Sequence, residues 1–423
     1  MNFKSKIEKA LILAFIIILL SSLFPSYCDD IDNNEGNENI NEFLIQETSV
    51  SVSETPLNLN SRYCVVLDRI SKQKLFGKSE DKQVKMASTT KIMTAIVVIE
   101  NYDLTKQAEI SKKAAGTGGS RLGLKNGDKI TIHDLLYGLM LCSGNDAAVA
   151  LAENVAGSIP QFSELMNKKA QELNLTHTHF ESPHGLDSNE HYTTAYELAL
   201  LSDYALKNSI FSKIVGTKNY TITINGYPKT LSNTNELLGN LNGVYGIKTG
   251  FTNGANRCLV TACKRGNMDI ICVVLGADTK KFRTQDSIKL IEYCFKNFEY
   301  INVEEIANNE FESWKKVNIK NISVYKGISN SVDLELSKSE NTIFPIKKEL
   351  KDSIKTIIYF NTDLVAPIHK NSTLGTIQIF SDNNIIFSAN ILASNNVKRR
   401  NIIEYLTLFS QNYINTLENI ISV

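Results

Sequence analysis

The sequence predicts an α+β chain: an antiparallel sheet carrying helices, then a small all-β sandwich, then a closing amphipathic helix. Two hairpin patterns, at residues 63–76 and 245–275, bracket a long stretch of helical periodicity. After about Tyr300 short alternating runs separated by polar turns take over, and from Ile402 to Ile420 apolar residues recur every three or four positions. The 423 residues, 43% hydrophobic and 21% charged, suffice for a large core and more than one domain. Lys plus Arg and Asp plus Glu are 45 each, so nothing in the totals points to nucleic acid. Seven cysteines are thinly spread with no Cys-x-x-Cys pair, which argues against a zinc site or a disulfide scaffold. Cys258 with Cys263, or Cys263 with Cys272, could pair across a hairpin, but buried free thiols are the expectation.

In chain order, Lys4, Lys6 and Lys9 precede an apolar run over residues 10–20, followed by Ser21, Ser22, Pro25, Ser26 and Cys28. That order of charge, apolar run and small residues predicts a secretory signal over residues 1–28, the run being short for a membrane span. The working protein is therefore expected outside the cytoplasm. Residues 29–60 are rich in Asn, Asp, Glu and Ser, hold no Lys or Arg, and predict a disordered acidic linker. Structure is expected from Ser61: strands at 63–67 and 74–76, a helix starting near Ser88, loops over 116–128, and helices at 132–140, 147–156, 159–173 and 195–206. Four histidines between His177 and His191 invite a metal reading, but no pair of ligands shares a helical face.

Three short stretches carry chemistry. In Ser88-Thr89-Thr90-Lys91, helical spacing brings the Lys91 amine to the Ser88 hydroxyl at a helix start, where free N–H groups and the dipole favour negative charge. The plain alternative is a Ser cap with a solvated lysine. In Ser143-Gly144-Asn145, a hydroxyl and an amide sit at a helix–loop–helix junction and can face one cleft, although such residues also cap helices. In Lys248-Thr249-Gly250-Phe251, a cation and a hydroxyl suited to a carboxylate lie on or beside an edge strand, where Gly250 admits a substrate backbone. A strand end with a surface lysine would look the same.

Together, Ser-x-x-Lys, Ser-x-Asn and Lys-Thr-Gly occur in the order and spacing of penicillin-binding proteins and β-lactamases. With Arg121, Leu124, the Lys125–Asp128 turn and the Pro183-His184-Gly185-Leu186-Asp187 loop, the chain resembles the D-alanyl-D-alanine carboxypeptidases, the low-molecular-weight penicillin-binding proteins. The resemblance implies a β-lactamase/transpeptidase-like catalytic domain over residues 61–300 and a β-sandwich over 301–396. It implies that Ser88 attacks the penultimate D-alanine carbonyl and that Lys91 accepts its proton, the neutral amine being favoured by burial beside Met86 and Ile92 and by the Lys248 charge. Ser143 would relay a proton to the leaving amine, Asn145 would orient Lys91, and the N–H groups of Ser88 and Phe251 would form the oxyanion hole. Lys248 and Thr249 would bind the substrate carboxylate, with Gly250 and Phe251 beside them in the substrate-binding stretch. No metal or organic cofactor is implied. The implied partners are peptidoglycan stem peptides and, as covalent inhibitors, β-lactams, at the outer face of the cytoplasmic membrane or in the cell wall. A D,D-endopeptidase or a non-turnover β-lactam sensor would use the same residues. A class A β-lactamase is disfavoured, because Ala170 stands where its glutamate would precede Leu173-Asn174, a segment that reads as mid-helix. Phe251 replaces the His that many carboxypeptidases carry, which predicts altered substrate preference.

In the last third, strands are expected at 317–319, 322–325, 332–336, 354–360, 374–380 and 385–392. Over residues 397–423, Lys398-Arg399-Arg400 introduces a stripe of Ile402, Leu406, Phe409, Tyr413, Leu417 and Ile420 opposite Glu404, Gln411 and Asn415. This predicts a helix lying on a membrane surface rather than one packed on its own domain.

Overall fold

A computed structural model describes residues 57–339 and 342–421. The expected secretory signal and most of the acidic linker lie outside these residues. The last residues assigned to the linker are packed: Leu59 is buried, and the Asn60 amide exchanges two hydrogen bonds with Asp278. The chain divides into two compact units, with the boundary between Lys296 and Asn297.

The first unit begins with the hairpin β1 (Tyr63–Asp68) and β2 (Lys74–Lys78), then a 3₁₀ turn, Ala87–Thr90, running into α1 (Lys91–Asn101). Next come β3 (Gln107–Glu109), α2 (Lys112–Ala115), β4 (Lys129–Thr131), α3 (Ile132–Leu141), α4 (Asn145–Ala156), α5 (Ile159–Glu172), α6 (Ala195–Leu206) and α7 (Ser209–Val215). The unit closes with β5 (Asn219–Ile224), β6 (Tyr227–Ser232), β7 (Val244–Thr252), β8 (Asn256–Arg265), β9 (Met268–Ala277) and α8 (Lys280–Asn297). The main sheet has the order β2-β1-β9-β8-β7 and is antiparallel throughout, leaving β7 on an edge.

Residues 91–98 of α1 are all buried, so this helix runs through the core rather than over it. Around it the sequence punctuates the helices locally. Ser158 and Thr194 cap α5 and α6 by accepting from Gln161 N and Glu197 N, and Gly157, with φ +81°, ends α4. Leu173-Asn174 is not mid-helix: α5 stops at Glu172, and Asn174 turns the chain in the left-handed region that Asn tolerates. The six described cysteines are buried, and burial pushes the Cys64 and Cys263 thiols up to about 12.

The second unit contains β10 (Phe298–Asn302), α9 (Val303–Asn318), β11 (Val324–Tyr325), β12 (Leu334–Leu336), β13 (Ile343–Lys347), β14 (Lys355–Phe360), β15 (Leu364–Val365), β16 (Thr373–Ser381), β17 (Asn384–Ala393) and α10 (Ile402–Ile421). A four-stranded antiparallel sheet, β12-β17-β16-β14, is accompanied by the β10–β13 and β11–β15 pairs. The expected strand at 317–319 is instead the end of α9. Asn302 caps this helix on Glu305 N, and Val303, Ala307 and Phe311 bury one face, a spacing that outweighs the β-branched residues at its end. On α10 the apolar stripe is open: Leu406 and Phe409 are 63% and 71% exposed. No described helix is long and apolar enough to cross a membrane.

Candidate active site

The 3₁₀ turn places Ser88 at the rim of a cleft of about 270 Å³, with Asn145 and Phe251 also lining it. Lys91, the first residue of α1, is fully buried. Its Nζ lies 2.8 Å from Ser88 Oγ, 2.7 Å from Asn145 Oδ1 and 2.8 Å from the His184 carbonyl oxygen. Two of those three atoms can only accept. A neutral amine with its two hydrogens given to Asn145 and His184 therefore turns its lone pair to the Ser88 hydroxyl.

Asn145 is held for this role on both sides. Its Nδ2 donates to Gly118 O at 2.8 Å, and its backbone N donates to Ser120 O at 2.8 Å. The next residue, Asp146, is a buried carboxylate that accepts from the N–H groups of Leu122, Gly123, Leu124 and Ala147. It pins the 120s loop to the start of α4. Ser143 has φ +58° and is fully buried, and its Oγ meets no hydrogen-bond partner among the described residues. The structure thus joins Ser88, Lys91 and Asn145 by direct hydrogen bonds and leaves the Ser143 hydroxyl outside that network.

The edge strand β7 forms the opposite wall. A Cβ on Gly250 would stand 3.0 Å from Ser88 N and 3.2 Å from Ala87 Cβ, so a bare backbone is needed for this approach. Lys248 is buried and donates to Thr249 O at 3.1 Å. Thr249 Oγ1 lies 2.7 Å from Thr234 Oγ1, while Thr234 N donates to Leu141 O at the end of α3. The Phe251 ring faces the Arg257 guanidinium at 3.9 Å, a cation–π contact that fixes the ring.

The Pro183–Asp187 loop completes the cleft. Asp187 accepts from Thr252 Oγ1 at 2.7 Å and from Gly254 N at 2.8 Å, clasping the loop to the β7–β8 turn. Gly185, with φ +87°, lies so close to the Ser88 turn that a Cβ would meet Ala87 O at 2.0 Å. The His184 imidazole is held down to about 3, first by burial and then by Lys91 when that amine carries a proton, and so the ring stays neutral. Sequence reasoning gave no role to the His184 carbonyl, Thr234 or the Asp187 clasp. A backbone acceptor has no side-chain signature, and Thr234 is an ordinary loop threonine until β7 is placed beside it.

Comparison with known proteins agrees with this geometry. The family described as D-alanyl-D-alanine carboxypeptidase matches residues 48–279, and the C-terminal domain of penicillin-binding protein 5 matches residues 313–399. D-alanyl-D-alanine carboxypeptidase DacF of Bacillus subtilis is 32% identical over 352 residues, covering 82% of this chain and 88% of its own. DacD of Escherichia coli is 32% identical over 345 residues, covering 78% and 85%. The crystal structure of penicillin-binding protein 5 from Haemophilus influenzae superposes with a TM-score of 0.66 at 29% identity, covering 82% of this chain and all of that one.

Proposed function

The chain belongs to the D-alanyl-D-alanine carboxypeptidase family and is a serine-type D-Ala-D-Ala carboxypeptidase, and from that premise we propose that Ser88 is its nucleophile and peptidoglycan stem peptides its substrate. Lys248 and Thr249 hold the terminal carboxylate, with the Thr249 hydroxyl oriented by Thr234. Ser88 Oγ attacks the carbonyl of the penultimate D-alanine while its proton passes to Lys91 Nζ. The oxyanion sits between the N–H groups of Ser88 and Phe251. When the tetrahedral intermediate collapses and its C–N bond breaks, the proton on Lys91 is relayed to the leaving amine through the Ser143 hydroxyl, which gives up one proton as it takes another and leaves the lysine neutral again. Terminal D-alanine departs, and water, deprotonated by the same lysine, releases the shortened peptide and regenerates Ser88.

A β-lactam enters the same route as a covalent inhibitor, because its carboxylate and strained amide match the two subsites. Trimming pentapeptide stems removes the donors of cross-links and so limits cross-linking of the wall. The chain is exported and rests on the outer face of the cytoplasmic membrane, with the open stripe of α10 lying in the lipid surface.

The observation that carries this reading is the Lys91 amine shared among Ser88 Oγ, Asn145 Oδ1 and the His184 carbonyl. The test is D-alanine release from diacetyl-Lys-D-Ala-D-Ala by the chain and by its Ser88→Ala variant. Release that disappears in a folded variant supports the assignment, and release that persists refutes it.

A further inference from the structure

Ala87, immediately before Ser88, has φ +47°, in the left-handed region that a residue with a Cβ seldom occupies. A hydrogen-bonded chain holds it there. Thr90 Oγ1 donates to Ala87 O at 2.8 Å and lies 2.8 Å from His191 Nε2. The threonine hydroxyl has one hydrogen, already given to Ala87, so toward the imidazole it accepts and Nε2 carries the proton. The far side of the ring requires the same tautomer, because Glu181 N donates to Nδ1 at 3.0 Å. The ring is buried, edge-on to Phe180 with centroids 5.8 Å apart.

We propose that His191 is a positioning residue for acylation: as a neutral Nε2–H imidazole it fixes Thr90, and through Thr90 the Ala87 carbonyl and the turn that aims the Ser88 hydroxyl at Lys91. The proposal rests on the reading of Ser88 as nucleophile. The same ring holds Glu181 N, at the head of the loop whose His184 carbonyl takes the Lys91 amine. One side chain thus secures the turn of the nucleophile and the seat of its base.

The device is sensitive to acid. A second proton on Nδ1 would displace the Glu181 N–H donor and put a cation near Lys91 and His179. Burial is the largest influence and holds the imidazole down to about 4, against the carboxylates of Glu181 and Asp187, which favour its protonation. The group therefore stays neutral near pH 7 and fails on the acid side.

The test measures the acylation rate of the full chain with a fluorescent penicillin, and kcat and KM for D-alanine release, beside thermal melts. Thr90→Val removes the relay at constant shape and should slow acylation by about tenfold with little change in KM, a cost typical of a misaimed nucleophile. Thr90→Ser should restore the rate to within about twofold, since it returns the single donor and acceptor. His191→Gln keeps a donor toward Thr90 but does not titrate. The ratio of its rate to that of the unaltered chain should rise as pH falls from about 6 to about 4, where only the imidazole is lost. Thr90→Val acylating at the unaltered rate, or a ratio flat across that range, would overturn the proposal. Should His191→Gln fail to fold, the Thr90 pair still decides. Labelling that persists in Ser88→Ala would sink the nucleophile assignment instead, a distinct outcome.

Discussion

The two units of this chain treat charge in opposite ways. In the first, Lys91, Asp146, Lys248, Arg257 and Asp286 are each 2% exposed or less. In the second, the only polar side chain buried among the described residues is Ser381, while Ile402, Ile403 and Phe409 each stand more than 70% exposed. Burying a charge costs several kcal/mol unless partners replace water, so a unit that does it repeatedly is organised around a site. Leaving large apolar side chains in the open along one helix is the reverse arrangement and marks a surface for something apolar. On the proposed function, chemistry and membrane attachment are separated along the chain, and each can be broken without the other.

The largest effect should come from Lys91→Met, which removes the buried amine and fills its space with an apolar chain. D-alanine release should fall by about a thousandfold, the scale of a lost general base, in a protein that still melts cooperatively. The converse cut is Leu406→Glu with Phe409→Glu on α10. Co-sedimentation with anionic lipid vesicles should weaken by about a hundredfold, from the lost apolar burial, with D-alanine release unchanged. A smaller effect tests the scaffold beneath the site. Asp146→Asn would set an amide N–H against backbone donors and should lower stability by about 2 kcal/mol, read as a drop in the melting midpoint. Thr234→Val leaves Lys91 untouched and frees the Thr249 hydroxyl, so KM should rise by about fivefold with kcat nearly constant.

Acid should weaken the first unit through its buried imidazoles. His184 and His191 are held down to about 3 and about 4, whereas the unfolded chain takes up those protons near pH 6.5. Protonation below pH 6.5 therefore favours the unfolded state, and stability should decline from there, the His191 share ending near pH 4 and the His184 share near pH 3. A melting midpoint that stays flat between pH 7 and 4 would contradict this.

What could be read in advance follows the same division. Ser88 and Lys91 were legible because their spacing is local, and Asn145 because Ser-x-Asn is one of three motifs in a family's order; the structure joins the three directly. The hairpins flanking the helical stretch were legible because short apolar runs sit beside polar turns, and the structure buries β1 and β9 along nearly their whole length. Less legible was whatever depends on chain segments meeting in space. The His184 carbonyl, the Thr234 hydroxyl and the His191–Thr90 chain join residues far apart in sequence. The misreading of 317–319 as a strand came from weighing three residues against a sixteen-residue helix whose apolar face begins at Val303. The secondary structure of α10 was visible in its stripe, and the structure leaves that stripe uncovered.

The central claim is that a buried lysine, its hydrogens engaged by Asn145 and His184, activates Ser88. Its most direct test is mass-spectrometric mapping of the acyl group after brief exposure of the chain to benzylpenicillin, beside the Lys91→Met variant. The account predicts one adduct, on the peptide containing Ser88, absent from folded Lys91→Met on the same timescale. An adduct on another residue, or one forming undiminished in Lys91→Met, would contradict it.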